Sequence, residues 1–199
     1  MNLVFISGPH GAGKTTLVER LQQEYDKILI PELKTITPKF HTNPADRQRL
    51  KLSQKAIENF EALEIARENP DRIVIGNRCR YDCDAYSLAF YRLGWVSQED
   101  HRRLVEIARF AFTAELYSPY AIILNPPFEI VRERLQGRWK KEEKKWNEEN
   151  LDYCRIACDA YLQFEGNPRI LYLKDSDNID KVIELLNQTL KVKDLSKVA

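Results

Sequence analysis

Residues 3–21 read Leu3-Val4-Phe5-Ile6-Ser7-Gly8-Pro9-His10-Gly11-Ala12-Gly13-Lys14-Thr15-Thr16-Leu17-Val18-Glu19-Arg20-Leu21. Within them, Gly8 to Thr15 spell G-x-x-x-x-G-K-T. The run before it, Leu3-Val4-Phe5-Ile6, has the length and the β-branched and aromatic content of a buried strand. The run after it, from Thr16 to Leu21, starts a helix. Strand, glycine turn and helix are the context the pattern requires. Glycines let backbone N–H groups converge on a phosphate, and the helix start adds partial positive charge. Lys14 reaches terminal phosphates and the Thr15 hydroxyl is a ligand for Mg²⁺. The bare pattern arises by chance in roughly one chain in a hundred of this length. With both flanks in place, the segment implies binding of a nucleoside triphosphate.

Outward from that loop, strands and helices alternate. A first helix spans about 14–25, and Lys27-Ile28-Leu29-Ile30 makes a short second strand ended by Pro31-Glu32. Residues 34–43 show no period and read as loop. A long helix is expected from Ala45 to Glu68, with Leu52, Ala56, Phe60 and Leu63 along one apolar face; Pro70 stops it. Residues 72–76 form a third strand, followed by a helix over about 81–93. Another helix spans roughly 98–117. It is apolar nearly all round and so expected to be buried, or to form a dimer face near Leu104–Leu116. Strands at 121–124 and 170–173 and helices at 128–136, around 151–162 and at 179–190 complete the chain. Short, uniformly apolar strands separated by helices predict an α/β fold, a three-layer sandwich with a five-stranded parallel sheet. In that class ligands sit where strands stop: Gly8–Thr15, Glu32, Asn77-Arg78, Asn125 and Asp175–Asn178.

At 199 residues the chain fits a single domain over 1–199, with a short lid over about 136–150. A formal net charge of +1 gives no electrostatic reason to expect a nucleic-acid partner. With no apolar run of membrane-spanning length and no secretion signal, a soluble cytoplasmic protein with no membrane partner is expected. The cysteines form two i,i+4 pairs, Cys79/Cys83 and Cys154/Cys158. Zinc sites use tighter C-x-x-C knuckles, so these read as small hydrophobes on helix faces.

Three features recur in order: the N-terminal loop, an Arg in the N-R-x-R-Y-D segment (residues 77–82) after the third strand, and arginines after P-P-x-x-x-x-x-R-L (residues 126–135). Together they resemble the P-loop nucleoside and nucleotide kinases, most closely the deoxynucleoside and thymidylate kinase branch. The resemblance implies ATP and Mg²⁺, with Gly8, Gly11, Ala12, Gly13, Lys14, Thr15, Thr16 and Arg134 on the nucleotide and Thr15 on the metal. It implies catalytic roles for Lys14, Glu32, Arg78 and Arg138. Glu32 orients or deprotonates the acceptor. Arg78 and the lid arginines neutralise the charge that spreads over a phosphoryl group in transfer.

One position departs from the pattern. The family's acidic residue before the arginine is Asn77 here, which puts carboxylate assistance to Mg²⁺ in question; Asp82 and Asp84 lie about a helical turn on. The acceptor pocket would draw on Phe40, His41, Gln54, Phe60, Tyr81, Tyr86, Arg109 and Phe112. The expected activity is ATP-dependent phosphoryl transfer to a nucleoside or nucleoside monophosphate. The alternatives are a kinase for another small acceptor, or a nucleotide-dependent switch without an acceptor, and a homodimer is allowed.

Overall fold

A computed structural model describes residues 2–32, 43–112, 120–143, 147–174 and 179–196. Strand β1 (Leu3–Ser7) is followed by α1 (Lys14–Glu24), β2 (Ile28–Leu29), α2 (Pro44–Glu68), β3 (Ile73–Asn77), α3 (Arg80–Arg92) and α4 (Gln98–Ala111). Then come β4 (Tyr120–Leu124), α5 (Phe128–Trp139), α6 (Leu151–Tyr161) with a 3₁₀ turn at Leu162–Phe164, β5 (Ile170–Leu173) and α7 (Ile179–Ser196). All five strands are parallel, in the order β2-β3-β1-β4-β5. The expected fold class is the observed one.

Side-chain alternation builds the three layers. Successive residues of a strand point to opposite faces. Val4 and Ile6 of β1, Ile73 and Ile75 of β3, and Ile122 and Leu124 of β4 pack with Leu17 and Leu21 of α1 and Val182 and Leu186 of α7. Leu3, Phe5, Val74 and Ala121 face the other way, onto Leu52, Leu63, Cys83, Ala108 and Phe112. A further cluster joins Ala85, Tyr86 and Phe90 of α3 to Val131 and Leu135 of α5 and Tyr153, Ala157 and Tyr161 of α6. Every residue of β1 is buried, so the loop that follows it opens from the middle of the sheet. Among the described residues, no helix is long and apolar enough to cross a membrane.

Two expectations about helix faces fail. On α2, Phe60 is 51 % exposed. The buried stripe instead repeats every seven residues, through Leu52, Asn59 and Ala66. Eight residues advance a helix by about 80° beyond two full turns, which carries Phe60 off the face that holds Leu52. Asn59 takes the inward place because its Nδ2 donates to the Arg78 carbonyl at 3.0 Å. On α4, residues Leu104 and Ala108 are buried, whereas Ile107 is 40 % and Phe110 93 % exposed. The helix is apolar on several sides, yet only one i,i+4 stripe is buried. Residues 113–117 of the expected helix lie outside the described residues.

The cysteines behave as packing groups. Cys79 and Cys83 sit in the cluster under α2 and α4, Cys154 and Cys158 in the one around α6, all four as free thiols. Burial pushes the Cys79 and Cys158 thiols up to about 12, so neither is a thiolate near neutrality.

Candidate active site

Ser7 ends β1, and the chain turns at once into the glycine loop. Gly8 has φ 141°, and a Cβ there would stand 2.1 Å from the Leu124 carbonyl oxygen. Only glycine lets the loop pass that close to β4. Gly13 then caps α1 in the left-handed region, with no side-chain hydrogen bond and no acidic residue in the first turn. Side chains close the starts of α2, α4 and α6 through Asn43, Ser97 and Asn150, whereas α1 and α5, which follow Gly13 and Pro127, have no side-chain cap. The first N–H groups of α1 carry partial positive charge, and Gly13 has no side chain to cap them, an arrangement suited to an anion.

The loop borders a cleft of about 1030 Å³. Gly11, Ala12, Gly13, Lys14, Thr15 and Thr16 line it, with Asn77 and Arg78 from the end of β3 and Arg134 and Arg138 from α5. Lys14 Nζ donates to the carbonyls of Gly8 at 2.9 Å and Pro9 at 2.8 Å, which keeps the ammonium over the loop. Arg134 Nη1 donates to the Ala12 carbonyl at 3.0 Å. The i,i+4 spacing of Arg134 and Arg138 therefore does bring both onto one wall, while Arg132 is exposed. Four cationic side chains stand against two carboxylates in this lining, Glu19 and Glu142. Such a cleft favours a polyanion.

Arg78 is fixed with unusual care. Its backbone is left-handed, φ 67°. This conformation costs a non-glycine residue on the order of 1 kcal/mol or more, so the surroundings must enforce it. The enforcing contacts are Arg78 N–H to the Ile6 carbonyl at 3.0 Å and Asn59 Nδ2 to the Arg78 carbonyl. The guanidinium donates to Asp82 Oδ1 at 2.8 Å and lies 5.3 Å from the centre of the Tyr86 ring. Burial opposes its charge, but Tyr86, Asp82 and Tyr161 outweigh that and hold its pKa above the ordinary value.

Asp82 is thus the carboxylate that pairs with Arg78, and it does not line the cleft beside Thr15. Asn77 itself is exposed. Asp82, with a side chain 4 % exposed, also accepts from Ser7 Oγ at 2.6 Å, the Cys79 N–H at 2.9 Å and the Tyr161 hydroxyl at 2.6 Å. Burial raises its pKa, and the arginine and three hydrogen bonds more than reverse that, leaving it below the ordinary carboxyl value. Arg78 precedes α3 and has a left-handed backbone, so helix spacing does not account for this pair. Asp84 is spent on Arg80 at 3.2 Å.

A second node was not legible. Glu148, its side chain fully buried, meets His10 Nδ1 at 3.0 Å and pairs with Arg138. It joins the glycine loop to the arginine wall. Desolvation brings the His10 pKa down to about 4, with Arg78 and Lys14 adding to it and the Glu148 contact opposing, so the imidazole is neutral near pH 7.

Of the remaining sequence candidates, Gln54 and Tyr86 line a second cavity of about 340 Å³. It adjoins the first through His10, Asn77 and Arg78, which border both. Tyr81 packs on Phe164, and Phe112 is core beneath α4. Arg109 lines neither cavity, and Phe60 faces outward. Phe40, His41, residues 175–178 and residues 144–146 of the lid lie outside the described residues. Glu32 is exposed, and Ile30, the residue after β2, lines the cleft instead. The expected base therefore has no contact with either cavity.

The comparisons agree with this architecture. Three solved structures of deoxyadenosine kinase from M. mycoides match nearly end to end. The one with bound dATP has a TM-score of 0.67 at 18 % identity, over 96 % of this chain and 100 % of that one. The one with dCMP and a flexible dCDP has a TM-score of 0.55 at 18 % identity, over 96 % and 99 %. The one with dCTP has a TM-score of 0.54 at 19 % identity, over 94 % and 99 %. At such identity the likeness is one of fold. No curated protein matches the sequence. The AAA domain family matches residues 4–156, which include the glycine loop, Arg78, Asp82 and both arginines of the cleft wall. The chain therefore belongs to the AAA domain family, and carries that domain in a P-loop nucleoside kinase-like fold.

Proposed function

We propose that the protein is an ATP-dependent phosphotransferase acting on a nucleoside or nucleoside monophosphate. The observation that carries this reading is the pair of adjoining cavities. One is cationic and bounded by an uncapped helix start; the other is smaller and partly aromatic; Arg78 stands between them. A donor and an acceptor bound so would meet at the guanidinium.

The residues divide the work by position. The N–H groups of Gly11 to Thr15 and the Lys14 ammonium hold the donor's phosphates. Thr15, exposed at the first turn of α1, presents a hydroxyl that would help hold Mg²⁺, and the metal would supply charge neutralisation to the phosphates. Arg78 stands where negative charge spreads during transfer, held there by Asp82 before any ligand arrives, and such preorganisation lowers the barrier. Arg134 and Arg138 form the opposite wall and exclude water from the transferring group. In the fold match, the bound dATP, dCTP and dCMP of the relatives favour a nucleotide chemistry for this chain as well.

Steady-state ADP formation with ATP, Mg²⁺ and a panel of nucleosides and monophosphates tests the reading, supported by a thermal-shift screen of the same compounds. Acceptor-dependent ADP is the expected result. ATP binding without ADP above background for every acceptor would refute it. That outcome would favour a nucleotide-dependent switch, the reading to which Asn77 lends weight.

A further inference from the structure

The smaller cavity is more basic than a pocket for a neutral nucleoside has reason to be. Arg47, Lys51, Lys55 and Arg78 line it, against one carboxylate, Asp82. Residues 47, 51 and 55 follow at i, i+4 and i+8 over about 12 Å of α2; the row drifts around the helix, yet all three side chains reach the cavity and make one ladder along it. The carboxylates beside them are already engaged. Asp82 accepts from Arg78, Ser7, Cys79 and Tyr161, and Glu58 accepts from Gln54 Nε2 at 2.7 Å and pairs with Lys55. Lys51 Nζ donates to the neutral Gln54 Oε1 at 3.1 Å. Burial lowers its pKa, and Arg47, Lys55 and Arg78 lower it further against Glu58 alone. A low-dielectric cavity ringed by like charges focuses a positive field on whatever enters.

A second observation concerns bases. A nucleoside hydroxyl must lose a proton as it attacks, and an enzyme supplies a group to take it. Among the described residues, Asp82 is the sole carboxylate lining this cavity, and four hydrogen-bond donors hold it in its charged form. His10, at the junction, is a weak base with its pKa near 4. A phosphate monoester needs neither, being a dianion near neutrality, its second pKa lying near 6. Tyr86, Phe90 and Tyr153 line the same cavity and give it an aromatic wall suited to a base.

Building on the kinase reading above, we infer that the acceptor is a nucleoside monophosphate whose own phosphate is drawn in by the Arg47–Lys51–Lys55 ladder and Arg78. An oxygen of that phosphate forms the new bond to the γ-phosphorus of ATP. The bond from that phosphorus to the β–γ bridging oxygen breaks, its electron pair leaves on ADP, and no proton is taken from the acceptor. The products are ADP and a nucleoside diphosphate.

The test compares nucleosides, their 5′-monophosphates and simple sugar phosphates as acceptors for the intact chain with ATP, and repeats the series with Lys51→Gln and Lys51→Arg. Monophosphates should be preferred in kcat/KM. Lys51→Gln should raise their KM roughly 10- to 100-fold, the loss of one charge-assisted hydrogen bond. Lys51→Arg should recover most of it, and the unfolding midpoints of the variants show whether the fold persists. Preference for neutral nucleosides, with Lys51→Gln unchanged, overturns the inference and leaves the kinase reading standing. Transfer to sugar phosphates as readily as to monophosphates refutes the nucleoside part of the inference. No transfer to any acceptor while ATP binds overturns both.

Discussion

Replacing Asp82 by Asn is the sharpest probe of the site's framework. The substitution keeps the volume and removes the charge. Arg78 loses its carboxylate 2.8 Å away, and one amide N–H₂ now faces donors from Ser7, Cys79 or Tyr161. Breaking a buried pair so that one charge is left costs about 3–5 kcal/mol. For a chain of this size each kcal/mol moves the midpoint by about 2–4 °C, so the expected fall is on the order of 10 °C. Thermal unfolding followed by far-UV circular dichroism measures it. The folded pKa of Asp82 is depressed below 3.8, so its contribution is present in full above that value and lost as pH falls through the folded pKa. The gap between parent and variant should therefore hold steady from pH 8 to pH 5 and close only in stronger acid. Tyr161→Phe supplies a double-mutant cycle: its cost in the parent should shrink by about 1–2 kcal/mol in the Asp82→Asn background, because the strong acceptor has gone. A midpoint within 2 °C of the parent, or no coupling to Tyr161, would show that the carboxylate does not organise this junction.

Three further outcomes can be checked on the same protein. Lys14→Ala should weaken ATP binding about 10- to 100-fold by calorimetry with little change in the unfolding midpoint, since it removes a charged donor from the loop and no core contact. Gly8→Ala should lower stability by about 1–3 kcal/mol in chemical denaturation, because its Cβ meets the Leu124 carbonyl in a strand that has no room to move; an unchanged midpoint would contradict the close approach. The depressed His10 pKa makes stability complete above its ordinary value of 6.5 and progressively lost as pH falls toward about 4, by up to about 3 kcal/mol, and His10→Gln should flatten that limb of the pH profile.

What the chain reveals about itself follows from how local each feature is. The glycine loop is contiguous, and each of its requirements is a residue type at a fixed spacing, so loop, flanking strand and helix could be read without the fold. The sheet was equally readable because β1, β3 and β4 are apolar on both faces, and only a doubly covered parallel sheet has use for such strands. Helix faces were harder. Phe60 and Phe110 are apolar by type and exposed by geometry, whereas Asn59 is polar and buried because a carbonyl of the strained Arg78 needs it. Periodicity records composition, and it cannot see a partner that comes from another element. Glu148 makes the same point more strongly: nothing in residues 136–150 distinguishes it from Glu142, Glu143 or Glu149, yet it alone meets His10, far away in sequence.

Arg78 explains why the two cavities belong to one device. It borders both, its guanidinium reaches toward the Gly8 carbonyl at 3.4 Å on the loop side, and Asp82, which holds it, also accepts from Ser7 and the Tyr161 hydroxyl. One carboxylate therefore ties the end of β1, the start of α3 and the last residue of α6 to a single cation. A lysine at residue 78 has no planar fork with which to keep a carboxylate on one side and still present donors to a phosphate on the other. Because the backbone there is left-handed and pinned by Ile6 and Asn59, the side chain has little freedom to follow a ligand. In the proposed reaction donor and acceptor would therefore come to the arginine, the donor along the arginines of α5 and the acceptor along the ladder on α2, each in one of the two cavities that Arg78 borders.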